Sequence, residues 1–216
     1  MRIFLQGPSG IGKSAILREA LAPYAPSVRG FVVQRLTENG VVIGFRAVTL
    51  ENGFPPPSAE YDREREGVFI LRGKRDVSAL ENAILRSERE AGILLLDEIG
   101  GIELVSTVFM DALGRILSGE TPCVGVFKSR ENLARASNRL KLGEACSGPH
   151  RELEARLTNC AELITVTGQN LDETRAYIAK RLRELNLPKR RALPPETKDF
   201  SGHGNGGKNH IIEEEI

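Results

Sequence analysis

The chain has 216 residues, 40% of them apolar and 27% charged, with a formal net charge of +1. That length suits one globular domain with appendages rather than two full domains, and the near-balanced charge offers no basic field for DNA or RNA, so no nucleic-acid partner is expected. Cys123, Cys146 and Cys160 lie far apart without a C-x-x-C pair, which argues against a zinc site or a disulfide framework. Gln6 and the glycines after it interrupt any apolar leader, so a cytoplasmic protein with no membrane partner is the expectation.

Met1-Arg2-Ile3-Phe4-Leu5-Gln6 reads as a short strand. It feeds Gly7-Pro8-Ser9-Gly10-Ile11-Gly12-Lys13-Ser14, which fills every fixed position of G-x-x-x-x-G-K-[ST], and a helix-forming run follows. The spacing has a physical reason. Glycines let the backbone wrap a phosphate without Cβ clashes, so successive N–H groups face the anion at the positive end of a helix. Lys13 then reaches the β- and γ-phosphates, and the Ser14 hydroxyl takes a place on Mg²⁺. Pro23 and Pro26 stop the helix near Leu21 or Ala22.

Two runs rich in β-branched and aromatic residues follow, residues 30–36 and 41–48. Asn39-Gly40 between them predicts a β-hairpin closed by a type I′ turn. Residues 51–67, with Pro55-Pro56-Pro57 and a charged run from Glu60 to Glu66, read as a surface loop. Its charges either form a solvated face or carry base contacts. Val68-Phe69-Ile70-Leu71 reads as a strand and residues 77–91 as an amphipathic helix.

Ile93-Leu94-Leu95-Leu96-Asp97-Glu98 has the continuous apolar run of a central parallel strand, with its carboxylates at the carboxyl end where open α/β sheets place their chemistry. This is a Walker B strand. Asp97 is placed to hold Mg²⁺ and Glu98 to orient an attacking water; the competing reading is that either acid caps the next helix. That helix carries an apolar stripe of Leu104, Val105, Val108, Phe109, Ala112, Leu113, Ile116 and Leu117, with Gly119 expected just past its end. Glu103 at its front is read as serving the helix dipole rather than the metal.

Residues 122–127 and 162–166 read as further strands. Between them lies a basic segment, residues 128–157, carrying Lys128, Arg130, Arg135, Arg139, Lys141, Arg151 and Arg156. It is either a lid that brings an arginine to the γ-phosphate or a solvated helical surface. Cys146, Ser147 and His150 within it do not by themselves make a nucleophile. Asn170 is expected to cap a closing helix with Leu171, Ile178, Leu182 and Leu185 on its apolar side. From Pro188 onward the polar composition predicts a disordered tail, leaving residues 1–187 as the domain.

Taken together, the P-loop, Gly30-Phe31 with Gly44-Phe45, Gly67-Val68-Phe69-Ile70, Asp97-Glu98-Ile99-Gly100-Gly101-Ile102-Glu103-Leu104, and Val166-Thr167 with Asn170 and Asp172 resemble the small P-loop nucleoside-triphosphatases of archaea and bacteria, relatives of the human cancer-related nucleoside-triphosphatase. The resemblance implies a RecA-like, ASCE-type α/β fold: a three-layer sandwich on a mostly parallel sheet, with the β-hairpin inserted after the P-loop helix and one strand between the Walker A and Walker B strands. It also implies Mg²⁺-dependent hydrolysis of NTPs to NDP and phosphate. The expected site is Gly7, Pro8, Ser9, Gly10, Ile11, Gly12, Lys13, Ser14, Leu95, Leu96, Asp97, Glu98, Ile99 and Gly100 for nucleotide, Ser14 and Asp97 for the metal, and Lys13 and Glu98 for catalysis. This chain departs from the family at Val32-Val33-Gln34, at Leu171 between Asn170 and Asp172, and in the length of residues 128–157. A nucleotide or nucleoside kinase and an NTP-dependent switch are the competing functions.

Overall fold

β1 (Arg2–Gln6) and α1 (Lys13–Leu21) bracket the P-loop, and the rest of the chain is laid out around them. In the computed structural model, residues 1–51, 53–88, 92–140 and 145–188 are described, without the side chains of 137–140. After α1 a 3-10 turn over Ala22–Ser27 absorbs Pro23 and Pro26. Then come β2 (Val28–Glu38), β3 (Val41–Thr49), β4 (Ser58–Glu60), β5 (Val68–Leu71), β6 (Lys74–Arg75), α2 (Ser78–Ser87) and β7 (Ile93–Ile99). A second 3-10 turn, Ile102–Val105, leads into α3 (Thr107–Ser118), β8 (Cys123–Phe127), α4 (Arg130–Leu140), α5 (Ser147–Cys160), β9 (Glu162–Thr165) and α6 (Leu171–Arg183).

The sheet order is β6-β5-β3-β2-β7-β8-β1-β9, with β4 on β2, so β8 alone separates the P-loop strand from the Walker B strand as the resemblance implies. β2, β7, β8, β1 and β9 run parallel, while β3, β5 and β6 add antiparallel strands at one edge. One face buries Phe4, Phe31 and Phe127 beneath α2, α3 and α5, with Phe109 of α3 packed among them. The other buries Ile3, Leu5, Val32 and Leu95 beneath α1 and α6, which completes the three layers. No helix among the described residues is long and apolar enough to cross a membrane.

The hairpin turn forms as its sequence predicts, with Asn39 at φ 51° and Gly40 at φ 78°, the two positive φ values of a type I′ turn. The loop of residues 51–67 is less irregular than expected. β2 pairs with β7 only through Val32, so its upper half would show a bare edge; β4 covers it, pairing Ser58 to Glu60 with Arg35 to Thr37. The Pro55 carbonyl accepts from Arg18 at 2.7 Å and the Pro56 carbonyl accepts from Gln34 at 2.7 Å, tying the loop to α1 and β2.

Several boundaries moved for identifiable reasons. α2 begins at Ser78, whose N–H donates to Asp76 Oδ1 at 3.0 Å, and ends at Ser87; Arg89, Glu90 and Ala91, also assigned to that helix, lie outside the described residues. Val105 and Val108, read as core, are 51% and 45% exposed, because Ser106 caps α3 and gives the preceding residues their own turn. Gly119 caps α3 with extended backbone, φ −71°, and not in the left-handed form. Asn170 does not cap α6 through its side chain; it reaches backward, accepting from Thr167 N at 2.8 Å and donating to the Thr165 carbonyl at 3.0 Å. Residues 189–216, including His203 and His210, lie outside the described residues.

Candidate active site

The P-loop conformation follows from its glycines. Gly10 and Gly12 take φ values of 82° and 104°, the left-handed region that side chains disfavour. Gly7, at φ 132°, passes so close to the Val166 carbonyl that a Cβ has no room. Gly12 is the N-cap of α1, so the unpaired N–H groups of the helix's first turn open on the loop. Lys13 folds back over it. Its ammonium donates to the Gly7 and Pro8 carbonyls at 3.0 and 2.8 Å, and burial pushes its pKa down while Glu98 and Asp97 oppose that shift. Asn132 of α4 braces the same turn, its amide donating to the Gly7 carbonyl at 2.9 Å.

The parallel pairing of β1 with β8 and of β8 with β7 brings Asp97 and Glu98 to the sheet edge where the P-loop lies. The Ser14 hydroxyl donates to Asp97 Oδ1 at 2.7 Å, joining two segments 83 residues apart. Asp97 is 2% exposed, and burial pushes its pKa from 3.8 up to about 6, against the Ser14 hydrogen bond and the charges of Arg18 and Lys13. Glu98 is part-exposed and ion-paired, with Lys128 Nζ 3.1 Å from its Oε2. Neither acid caps α3; Ser106 does, accepting from Phe109 N at 3.0 Å and donating to Glu81.

The turn after Glu98 is held from below. Glu103, 4% exposed, accepts from the N–H groups of Gly100 and Gly101 at 2.5 and 2.7 Å, so its role is structural but it holds the turn before the helix and not the helix dipole of α3, which Ser106 caps; burial raises its pKa and these hydrogen bonds oppose the rise. Leu95, Leu96 and Ile99, included among the nucleotide-binding residues expected from sequence, have wholly buried side chains that pack within the core. Gly100 lies just past β7, at φ 100°.

The residues fit a hard divalent cation. A hydroxyl and a carboxylate oxygen meet there, the carboxylate is desolvated, and among the described residues no ion pair neutralises it. Mg²⁺ is held in such sites by one or two protein oxygens together with substrate phosphates and water. A stability effect follows for the metal-free protein. Folding raises the carboxyl pKa of Asp97, so the native state binds that proton more tightly than the unfolded chain does. The cost of ionising it is absent below pH 3.8 and complete above about pH 6. Asp97→Asn keeps an acceptor for Ser14, and is expected to stabilise the protein in chelator by up to about 3 kcal/mol at pH 7.5 and by almost nothing at pH 3.5. Urea unfolding at the two pH values measures it; an equal gain at both contradicts the assignment.

Sequence reasoning placed the P-loop, Asp97 and Glu98 together but missed Lys128 as a neighbour of Glu98, counting it only within a basic segment. The one signal was its place directly after a buried apolar strand; that this strand lies between the two Walker strands, so that Lys128 emerges beside Glu98, is seen only in the fold. Asn132 had no comparable signal. Of the seven basic residues in residues 128–157, Arg130 pairs with Glu154 and Arg156 donates to the Gly114 carbonyl, while Arg139 and Lys141 fall outside the described side chains. A cavity of about 650 Å³, lined by Arg46, Arg65, Gly67, Ala83 and Arg86 among others, involves no residue of the P-loop or β7.

Residues 2–147 match a family model described as NTPase. Nucleoside-triphosphatase THEP1 of Methanopyrus kandleri is 31% identical over 136 residues, covering 59% of this chain and 73% of that protein. The protein of the same name from Thermofilum pendens is 27% identical over 188 residues, covering 84% and 94%. The solution structure of a human cancer-related nucleoside triphosphatase superposes with a TM-score of 0.54 at 22% identity over 85% of this chain and 97% of that one. The crystal structure of THEP1 from Aquifex aeolicus gives 0.52 at 21% identity over 84% and 99%; at such identities these likenesses speak for the fold. The chain therefore belongs to the NTPase family, with nucleoside-triphosphatases of archaea and bacteria among its relatives.

Proposed function

We propose that this chain hydrolyses nucleoside 5′-triphosphates, ATP and GTP among them, to diphosphate and phosphate, with Mg²⁺ as cofactor. The observation that carries the reading is the hydrogen bond from Ser14 to Asp97 at 2.7 Å, which joins the P-loop to the carboxyl end of β7 with Glu98 beside it. Gly7 to Ser14 wrap the phosphates, and Lys13 leaves its carbonyl partners to reach the β- and γ-phosphates as a mobile point charge. Ser14 and Asp97 would hold Mg²⁺, which would offset the negative charge of the substrate phosphates. Glu98 orients a water in line with the bond to the leaving diphosphate and takes its proton. Glu103 holds the turn that follows Glu98 through the Gly100 N–H.

These residues meet phosphate and metal and not the base, which supports turnover of several NTPs. The test is phosphate release from ATP, GTP, CTP and UTP, each with Mg²⁺ and each in chelator. Release from several of them that stops in chelator is the expected result. Release from a single NTP, or release undiminished by chelation, contradicts this reading of the site.

A further inference from the structure

Lys128 is the first residue beyond β8, and its main chain is fixed on both sides. Its N–H donates to the Ile99 carbonyl at 2.8 Å, and its own carbonyl accepts from His150 Nε2 at 2.7 Å. His150 is 1% exposed and stacks on Phe127 with ring centroids 4.7 Å apart, so a buried imidazole from α5 locks the residue that carries the ammonium. From that anchor the side chain crosses the Gly100-Gly101 turn. A Cβ on Gly101 would lie 3.5 Å from Lys128 Cε and 3.6 Å from its Nζ, so the chain runs in contact with this backbone before reaching Glu98 Oε2 at 3.1 Å.

An ion pair between groups 21% and 29% exposed adds little to stability, so fold stability alone gives this ammonium little reason to stand there. Chemistry gives it one. If Glu98 prepares the attacking water, the γ-phosphorus lies one water molecule beyond its carboxylate. A cation touching Glu98 is then within a side-chain rotation of the γ-phosphate oxygens. Lys128 pairs with Glu98, and both charges are felt at Lys13.

We propose that Lys128 is a second catalytic cation: on NTP binding its ammonium exchanges Glu98 for the γ-phosphate oxygens, which frees the Glu98 carboxylate for the water. The inference rests on the hydrolase reading. Water oxygen bonds to the γ-phosphorus, and the bond from that phosphorus to the β,γ-bridging oxygen breaks. The electron pair leaves on the diphosphate, and the water proton passes to Glu98. Lys128 transfers no proton. It stabilises the negative charge spread over the equatorial oxygens, a role otherwise filled by an arginine.

The experiment compares the full chain with Lys128→Met, Lys128→Gln and Lys128→Arg, measuring kcat with ATP and Mg²⁺, the Kd for ADP, and the urea midpoint. The neutral variants are expected to lose about 10²- to 10³-fold in kcat. Their ADP affinity and urea midpoint should stay at the wild-type values, because Lys128 meets only the γ-phosphate, and Lys128→Arg should keep more activity than either. Active wild-type protein with neutral variants of equal rate overturns the inference and leaves the hydrolase reading intact. Neutral variants faster than wild type also overturn it, making the ion pair a restraint on Glu98. Wild-type protein that releases no phosphate from any NTP removes both.

Discussion

Glu98→Gln is expected to cut phosphate release from NTPs by about 10²- to 10⁴-fold, the range that a positioned general base contributes. The side chain keeps its size, and its amide oxygen still accepts from Lys128, so the protein should fold and bind nucleotide as before; what disappears is the capacity to take a proton from water. Measuring kcat together with NTP affinity separates the two outcomes. Lower kcat at unchanged affinity marks an interaction made in the transition state, whereas an unchanged kcat places the base elsewhere.

The largest expected effect on stability comes from Gly30→Ala. Gly30 sits in β2 opposite Leu95 of β7, at φ 113°, and a Cβ there runs into the Leu95 carbonyl oxygen. Neither neighbour can move cheaply, since both belong to strands in the middle of the sheet. Positive-φ strain and the overlap together should cost about 3 kcal/mol or more. Gly40 supplies the control: it too has a positive φ, 78°, but nothing lies within 4 Å of its would-be Cβ. Gly40→Ala should therefore cost only about 1 to 2 kcal/mol. Equal losses in urea unfolding contradict the steric account.

What could be read from sequence was whatever local chemistry dictates. The P-loop spacing, the apolar run ahead of Asp97-Glu98 and the Asn39-Gly40 turn each depend on a few adjacent residues, and each appears where expected. That one strand separates the Walker strands came instead through the family resemblance, and the rest of the sheet order comes from the fold. Nothing local to β8 says that it lies between β1 and β7. What remained hidden was long-range pairing. β4 exists because the far half of β2 would otherwise lack a partner, and Val105 and Val108 point outward because Ser106 resets the helix start. Lys128, Asn132 and His150 belong to the site's surroundings through contacts across 30, 125 and 22 residues (from Glu98, to Gly7 and to the Lys128 carbonyl), and a one-dimensional reading of a basic segment does not rank one cation above another.

The departure at Val32-Val33-Gln34 acquires a physical meaning in the fold. Gln34 is 1% exposed, donates to the Pro56 carbonyl and accepts from Arg46 Nε at 2.7 Å, so it fastens the loop before β4 to the sheet. Burial and the neighbouring charge of Arg65 both push the Arg46 pKa down. Gln34 thus serves to hold the loop.

The most direct measurement is the product balance from ATP and Mg²⁺ with no other substrate, followed by the same reaction with a nucleoside monophosphate added. Hydrolysis predicts one phosphate for each ADP formed, at a rate the monophosphate does not raise. If ADP forms only when the monophosphate is present, and a second diphosphate accumulates in place of phosphate, water is not the acceptor and the hydrolase account is contradicted.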